Sequence, residues 1–291
     1  MTQSQTNSEK SHTNWNHNES PAQRATNRRE TMYDMIDIDQ WILWGRRDRD
    51  GRTTKVPIGK NGRATSYSNP KCWKSFKQAI GEYMNGTSEG ENSIDGVGFC
   101  ITEDDQYVAI DLDNIYAWNG WQEIVEKFSS YTEHSPSGTG LHIWCKGYIP
   151  DDRHCVKVGS HETGGIEVYD AKHYMTVTLS PITNVKTCEI VENMDAIHWL
   201  VKSMNDRSLV SNILQKDDDK KFQLLWSGEW KKLYASQSEA ELAFCRILAN
   251  NHAPMHQIDR IYKQSKLNRQ KWNEKRGTST YGKMTLETAT S

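Results

Sequence analysis

Apolar and polar positions change period several times along this chain, and each change marks an element. "WILWGRRD", from Trp41, reads as a strand, and "RDGRTTKVPI" turns through Asp50-Gly51 into a second. In "NPKCWKSFKQAIGEYM", Trp73, Phe76, Ile80 and Tyr83 recur at helical steps, which predicts an amphipathic helix capped by Asn69 and opened by Pro70. "DGVGFCIT" and "YVAIDLDN" predict paired strands around the "EDDQ" turn, and "NGWQEIVEKFSSY" a short helix. The Gly-rich "SPSGTGLHIWCKG" runs from a loop into an apolar strand. "GGIEVYD" and "HYMTVTLS" predict a further hairpin, and "NMDAIHWLVKSM" a helix. The order β-β-α-β-β-α-β-β-β-α predicts an α+β fold, antiparallel sheet covered by helices.

The two ends read differently. Residues 1–32 are rich in Ser, Thr, Asn and Gln with almost no aliphatics, which predicts a disordered tail. The catalytic body is expected over 33–210. The charge run "LQKDDDKK" predicts a solvated linker over 211–220, and a small helical domain is expected over 221–291. There "SQSEAELAFCRILANN" carries a capping-box spacing, Ser238 to Glu241, and "MHQIDRIYKQSK" predicts a second helix. "RQKWNEKRG" and a ragged Thr-rich end complete the chain.

Composition changes this picture little. The chain has 291 residues, 35% hydrophobic, with 11 Trp and 12 Tyr to build cores from few side chains. Mean hydropathy is -0.82. A formal net charge of -2 announces no nucleic-acid binder, although a local basic groove is compatible with it. Six cysteines without a CxxC pair, and no stretch long enough for a bilayer span or signal, predict a cytoplasmic chain with reduced thiols and no membrane contact. Cys145, His154, Cys155 and His161 cluster loosely, but their spacing matches no zinc-finger pattern.

Three pieces carry candidate chemistry. In "YVAIDLDN", Asp111 and Asp113 point to one strand face, and two adjacent carboxylates call for a positive partner such as Mg2+ or Mn2+. In "SPSGTGLHIW", Gly138 allows close approach to the main chain, and Ser137 and Thr139 add hydroxyls. His142 there can donate to a phosphate, although the loop is no Walker A sequence. In "GGIEVYDAKHYMTVT", Glu167 sits between Ile166 and Val168 and shares a face with Tyr169, while Asp170 faces the other way. Each piece also has a plain reading: a strand leaving for a turn, a hairpin loop with a half-buried His, an edge strand with a solvent-facing Glu.

Their order, DxD strand, Ser/Gly loop with His, then an acid on a later strand, resembles the archaeo-eukaryotic primase superfamily. It is similar in particular to the primase-polymerase branch of phages and plasmids, and there to the deep-sea vent phage polymerase group. The likeness extends upstream over "TKVPIGKNGRATSYSNPKCWKSFKQA" and downstream over "YASQSEAELAFCRILANN" and "QIDRIYKQSKLNRQKW". It implies an RRM-like antiparallel sheet with flanking helices, then a small helical-bundle domain. It implies that Asp111, Asp113 and Glu167 hold Mg2+ or Mn2+, and that His142 with Ser137, Gly138 and Thr139 holds the triphosphate of an incoming nucleotide. Tyr174 falls where relatives place an aromatic near the sugar, and it could equally be hairpin packing. His173 falls where a basic phosphate-binding residue could stand, and Lys55 could neutralise a phosphate or merely decorate a strand. Lys263, Lys266, Arg269 and Lys271 could hold template or be surface charge.

The expected activity is that of a metal-dependent, DNA-directed primase/polymerase, a nucleotidyltransferase in phage or plasmid DNA replication. Its partners would be single-stranded DNA template and nucleoside triphosphates; with no Walker A motif in the sequence, either a separate replicative helicase supplies unwinding or the sequence is a fragment of a longer primase-helicase. The alternatives are a catalytically inactive replication-initiation DNA-binding protein and a haloacid-dehalogenase-like phosphatase. The latter also places DxD after an apolar strand, but on α/β units.

Overall fold

The computed structural model describes residues 33–49, 51–59, 62–86, 93–183 and 189–291. The predicted tail over 1–32 and the turn residue Asp50 lie outside them. The chain divides into two units, each threaded by separate stretches. The first takes the described residues up to Ala109, with Ser129–Lys146 and Asp170–Glu192. The second takes Ile110–Phe128, Gly147–Tyr169 and Asn193–Ser291.

In the first unit, β1 (Trp41–Arg49) is the apolar block read from the sequence, and Trp41, Ile42, Leu43 and Trp44 are all buried. It turns back into β2 (Arg52–Ile58), with Arg49 opposite Arg52 and Gly51 at a φ of 75°. A left-handed turn residue of this kind suits glycine. The sheet continues through β3 (Gly96–Ile101) to β9 (His173–Val177), in the order β2-β1-β3-β9, every ladder antiparallel. The sequence predicts a hairpin between β3 and β4 (Tyr107–Asp113); β3 instead has β1 and β9 as its neighbours. All six β3 residues are buried, which suits a strand flanked on both edges and packed on both faces. Phe99 centres the core, with rings of Trp41, Tyr107 and Trp144 at 5.5, 5.8 and 6.1 Å in edge-on contact. The hairpin of β5 (Thr132–His134) and β6 (Leu141–Lys146) also belongs here.

The helix predicted from Pro70 is split. Asn69 accepts from the Lys71 amide and caps only a 3-10 turn, Pro70–Cys72. Lys74 then exchanges two backbone hydrogen bonds with Trp41, which holds the chain extended. Helix α1 (Phe76–Asn85) starts afterwards, on a capping box of Ser75 and Gln78.

In the second unit β8 (Gly164–Tyr169) stands between β7 (Cys155–Ser160) and the end of β4. The expected β8–β9 hairpin is therefore not formed: β8 pairs with β7, and β9 with β3. Helix α2 (Trp121–Phe128) is the short helix predicted. Helix α3 (Met194–Gln215) runs through the first half of the predicted linker, and only a turn separates it from α4 (Lys221–Trp226). Ile213 is buried with Phe222 and Leu225, so the charge run 214–221 marks a turn between packed helices rather than a boundary. Asp206, buried on α3, takes both nitrogens of the Arg260 fork at 3.0 and 2.9 Å, tying α3 to α6 (Met255–Gln264).

Helix α5 (Gln237–Asn250) is capped by Ser236 on the Glu239 amide, not by the Ser238–Glu241 pair predicted. Glu241 is instead a fully buried acid. The "ragged" end is ordered: β10 (Lys275–Arg276) and β11 (Ser279–Thr280) lead into α7 (Tyr281–Thr290). The helix is capped by Thr280, which accepts from the Lys283 amide, and along it Thr285, Thr288 and Thr290 satisfy their hydroxyls on carbonyls one turn back. The architecture is thus mixed α+β with antiparallel sheets. Among the described residues no helix is long and apolar enough to cross a membrane.

Candidate active site

The acids of "YVAIDLDN" and "GGIEVYD" lie on neighbouring strands within the second unit. Along β4 burial is continuous to Ile110 and then alternates, with Leu112 buried and Asp111 and Asp113 half-buried on the opposite face. On the neighbouring β8, Gly165, Glu167 and Tyr169 share one face, since side chains alternate along a strand. A Cβ placed on Gly165 would come 3.6 Å from that of Asp113, so the two strands present this face together. Glycine there leaves room beside the carboxylate.

Glu167 accepts a hydrogen bond from the Tyr169 hydroxyl and pairs with Lys157 Nζ at 2.8 Å. Lys157 stands directly across the β7–β8 ladder, its ammonium 5.1 Å from the Tyr169 ring centre. Burial first, then the hydrogen bond to Glu167, pushes the Tyr169 hydroxyl well above its ordinary value, so it stays a donor at neutral pH. Asp113 Oδ1 lies 3.1 Å from His161 Nδ1, and its carbonyl accepts from the Trp118 indole at 3.1 Å. Gly164, at a φ of 89°, makes room for that indole: a Cβ would come within 1.9 Å of Trp118 Cδ1. Lys157, His161, Trp118 and the Tyr169 hydroxyl contact are absent from the motif pattern; of them, hairpin register alone would have placed Lys157.

Three carboxylates on one face suit a hard divalent cation, and the bare Gly165 leaves space for it. Among the described residues no three His, Cys, Asp or Glu side chains already converge as a metal-binding group, Glu167 being turned to Lys157 and Tyr169.

The predicted phosphate-binding residues lie in the first unit. Ser137 and Thr139 hydroxyls are 2.9 Å apart, and Ser135 is 3.0 Å from Ser137, so the loop hydroxyls support one another. Gly138 has a φ of 75° and open space where a Cβ would be. His142 is fully buried rather than half-buried. Its Nδ1 lies 3.4 Å from Glu133, which faces it across the β5–β6 ladder. Glu133, also fully buried, accepts from the Thr178 and Leu179 amides at 3.1 and 2.9 Å and from Tyr131 at 3.0 Å. Glu133 stands outside the motifs, although "TEH" places it beside the loop.

His173 and Tyr174 start β9 and pack their rings 6.1 Å apart, with Tyr67 at 6.3 and 5.9 Å. The Tyr174 hydroxyl donates to the Lys55 carbonyl at 2.9 Å, and burial pushes its pKa up. Lys55 itself is exposed beside an open hollow of about 500 Å³.

The four predicted template residues do not form one free basic stripe. Arg269 grips buried Glu241 with two nitrogens at 2.7 and 3.0 Å, and Tyr262 and Tyr281 donate to the same carboxylate at 2.9 and 2.7 Å. Arg269 therefore ties helices together. Lys263 pairs with Asp259 at 2.7 Å, Lys271 lies 4.4 Å from the Tyr281 ring centre, and Lys266 is exposed.

Residues 237–291 match the family model described as the NrS-1 polymerase HBD domain. Over 266 residues the chain is 30% identical to a DNA primase-polymerase of Nitratiruptor phage NrS-1, which covers 86% of this chain and 35% of that protein. The chain thus spans about a third of the length of the curated relative that it matches. By both matches, one on the helical end and one over most of the chain, it belongs with the phage primase-polymerases.

Proposed function

We propose that this chain catalyses template-directed nucleotidyl transfer, making DNA primers and extending them from nucleoside triphosphates during phage or other mobile-element replication. The observation that carries the reading is the shared sheet face of Asp111, Asp113 and Glu167, on a chain related to a protein named as a DNA primase-polymerase. The three acids would hold Mg2+ or Mn2+, whose charge eases deprotonation of an attacking hydroxyl and neutralises the phosphates. Asp111 and Asp113 are kept parallel by the strand, and Tyr169 orients Glu167 from the same face.

The 135–140 loop would bind the triphosphate through Ser137 and Thr139 hydroxyls and the Gly138 backbone. Glu133 fixes the ring of His142 behind that loop, so the imidazole serves by orientation rather than from a mobile surface position. Lys55, His173 and Tyr174 would contribute charge and an aromatic surface to the nucleotide. The RRM-like description of the sheets and the bundle description of the helical end belong to the same reading. Template would contact the exposed Lys266, with Lys263 and Lys271 secondary and Arg269 structural.

The test is synthesis on unprimed single-stranded DNA with Mn2+ and labelled dNTPs or NTPs supplied separately. The wild-type chain is expected to give products, and Asp111→Ala with Asp113→Ala to give none. Equal synthesis by the double variant at saturating Mn2+ sinks the assignment.

A further inference from the structure

Strand β7 and its turn set a partner against two of the three acids. Lys157 Nζ is 2.8 Å from Glu167 Oε2, and His161 Nδ1 is 3.1 Å from Asp113 Oδ1. A lysine opposite a glutamate is an ordinary cross-strand pair where the acid stands alone. This glutamate does not: it shares its face with Asp111 and Asp113, and carboxylates set side by side disfavour their common ionisation unless a positive charge is near. Lys157 is also held from its own side. The strand register puts it directly opposite Glu167, and its ammonium lies over the Tyr169 ring whose hydroxyl donates to the same carboxylate. Lysine, ring and carboxylate form one unit at the place where a divalent ion would need Glu167.

We propose that Lys157 is the resident counter-ion of the acidic face, holding Glu167 in the metal-free protein, and that a divalent metal loads by taking Glu167 from it. This rests on the reading of Asp111, Asp113 and Glu167 as metal ligands. Lys157 is then a positioning residue, and its ammonium is a competitor that sets how tightly metal binds. Removing the charge strengthens metal binding, an effect opposite to that of a residue whose loss merely disturbs the fold.

The experiment is a Mn2+ titration of the full chain, monitored by the electron paramagnetic resonance signal of free Mn2+, with circular dichroism on each variant. Lys157→Met is expected to lower the Mn2+ dissociation constant roughly threefold, in line with the strength of a partly exposed pair. Lys157→Arg, which keeps the competing charge, is expected not to lower it. Asp111→Asn with Asp113→Asn serves as the control. If that control abolishes binding while Lys157→Met binds as wild type or more weakly, the counter-ion role is overturned and the metal site stands. If the control binds as wild type, the metal reading fails and the inference falls with it.

Discussion

Glu133 and Glu241 are both fully buried, and each is tolerated because every side of the carboxylate meets a donor. Glu133 takes two backbone amides, a tyrosine hydroxyl and the His142 imidazole; Glu241 takes a forked arginine and two tyrosines. Removing such an acid strands its donors. Glu133→Ala is expected to cost about 3 kcal/mol or more, read as a lowered urea midpoint. Glu133→Gln keeps the volume but brings an NH2 to meet groups that donate. It is expected to raise KM for the incoming nucleotide more than it lowers kcat, because His142 loses its fixed orientation. An unchanged KM in steady-state kinetics would separate His142 from nucleotide binding.

At the scale of elements, the β7–β8 hairpin does most to shape the acidic face. It brings Glu167 beside β4, sets Lys157 across from it, and ends in a turn that carries His161. Gly164 lets this hairpin and the Trp118 indole occupy adjacent space, and its left-handed backbone adds a second reason for glycine. Gly164→Ala is expected to displace Trp118 from the Asp113 carbonyl and to cost about 1–3 kcal/mol, from backbone strain and crowding together. Tryptophan fluorescence in the folded state and a urea titration check both parts. No change in either would mean that the indole packs elsewhere.

Over the whole molecule, each unit buries a thiol. Burial, and then Asp105 and Cys72, pushes Cys100 up to about 12. Burial, and then Glu241 and Asp259, does the same for Cys245, also to about 12. Both folded values lie above the ordinary 9.0, so the folded chain keeps protons that the unfolded chain releases. Their contribution to stability is full below pH 9 and is lost as pH rises toward 12. The urea midpoint should therefore fall across that range, and the fall should be shallower in Cys100→Ala with Cys245→Ala, even if that variant starts lower. An equal slope would assign alkaline loss to other groups, the buried tyrosines first.

Local period and motif order are the part of this protein that the sequence by itself determined. Strand β4 ending in two same-facing acids, the Ser/Gly loop, Glu167 on a later strand and the amphipathic helices α5 and α6 are all one-dimensional patterns, set by the periods of strand and helix. Only the tertiary structure decided partners, because pairing and burial join residues far apart in the chain. The same capping-box spacing fits Ser236–Glu239 and Ser238–Glu241, and only the buried arginine and tyrosines show that Glu241 is spent on the core. Strands adjacent in sequence look like hairpins, yet β3 takes β1 and β9 rather than β4, because a fully buried strand needs neighbours that no local pattern names, and β8 stands between β7 and β4 rather than pairing with β9. Arg269 reads as a template ligand in one dimension, and in three its fork is closed on Glu241. The acids are legible in the sequence; the lysine that holds one of them required the fold.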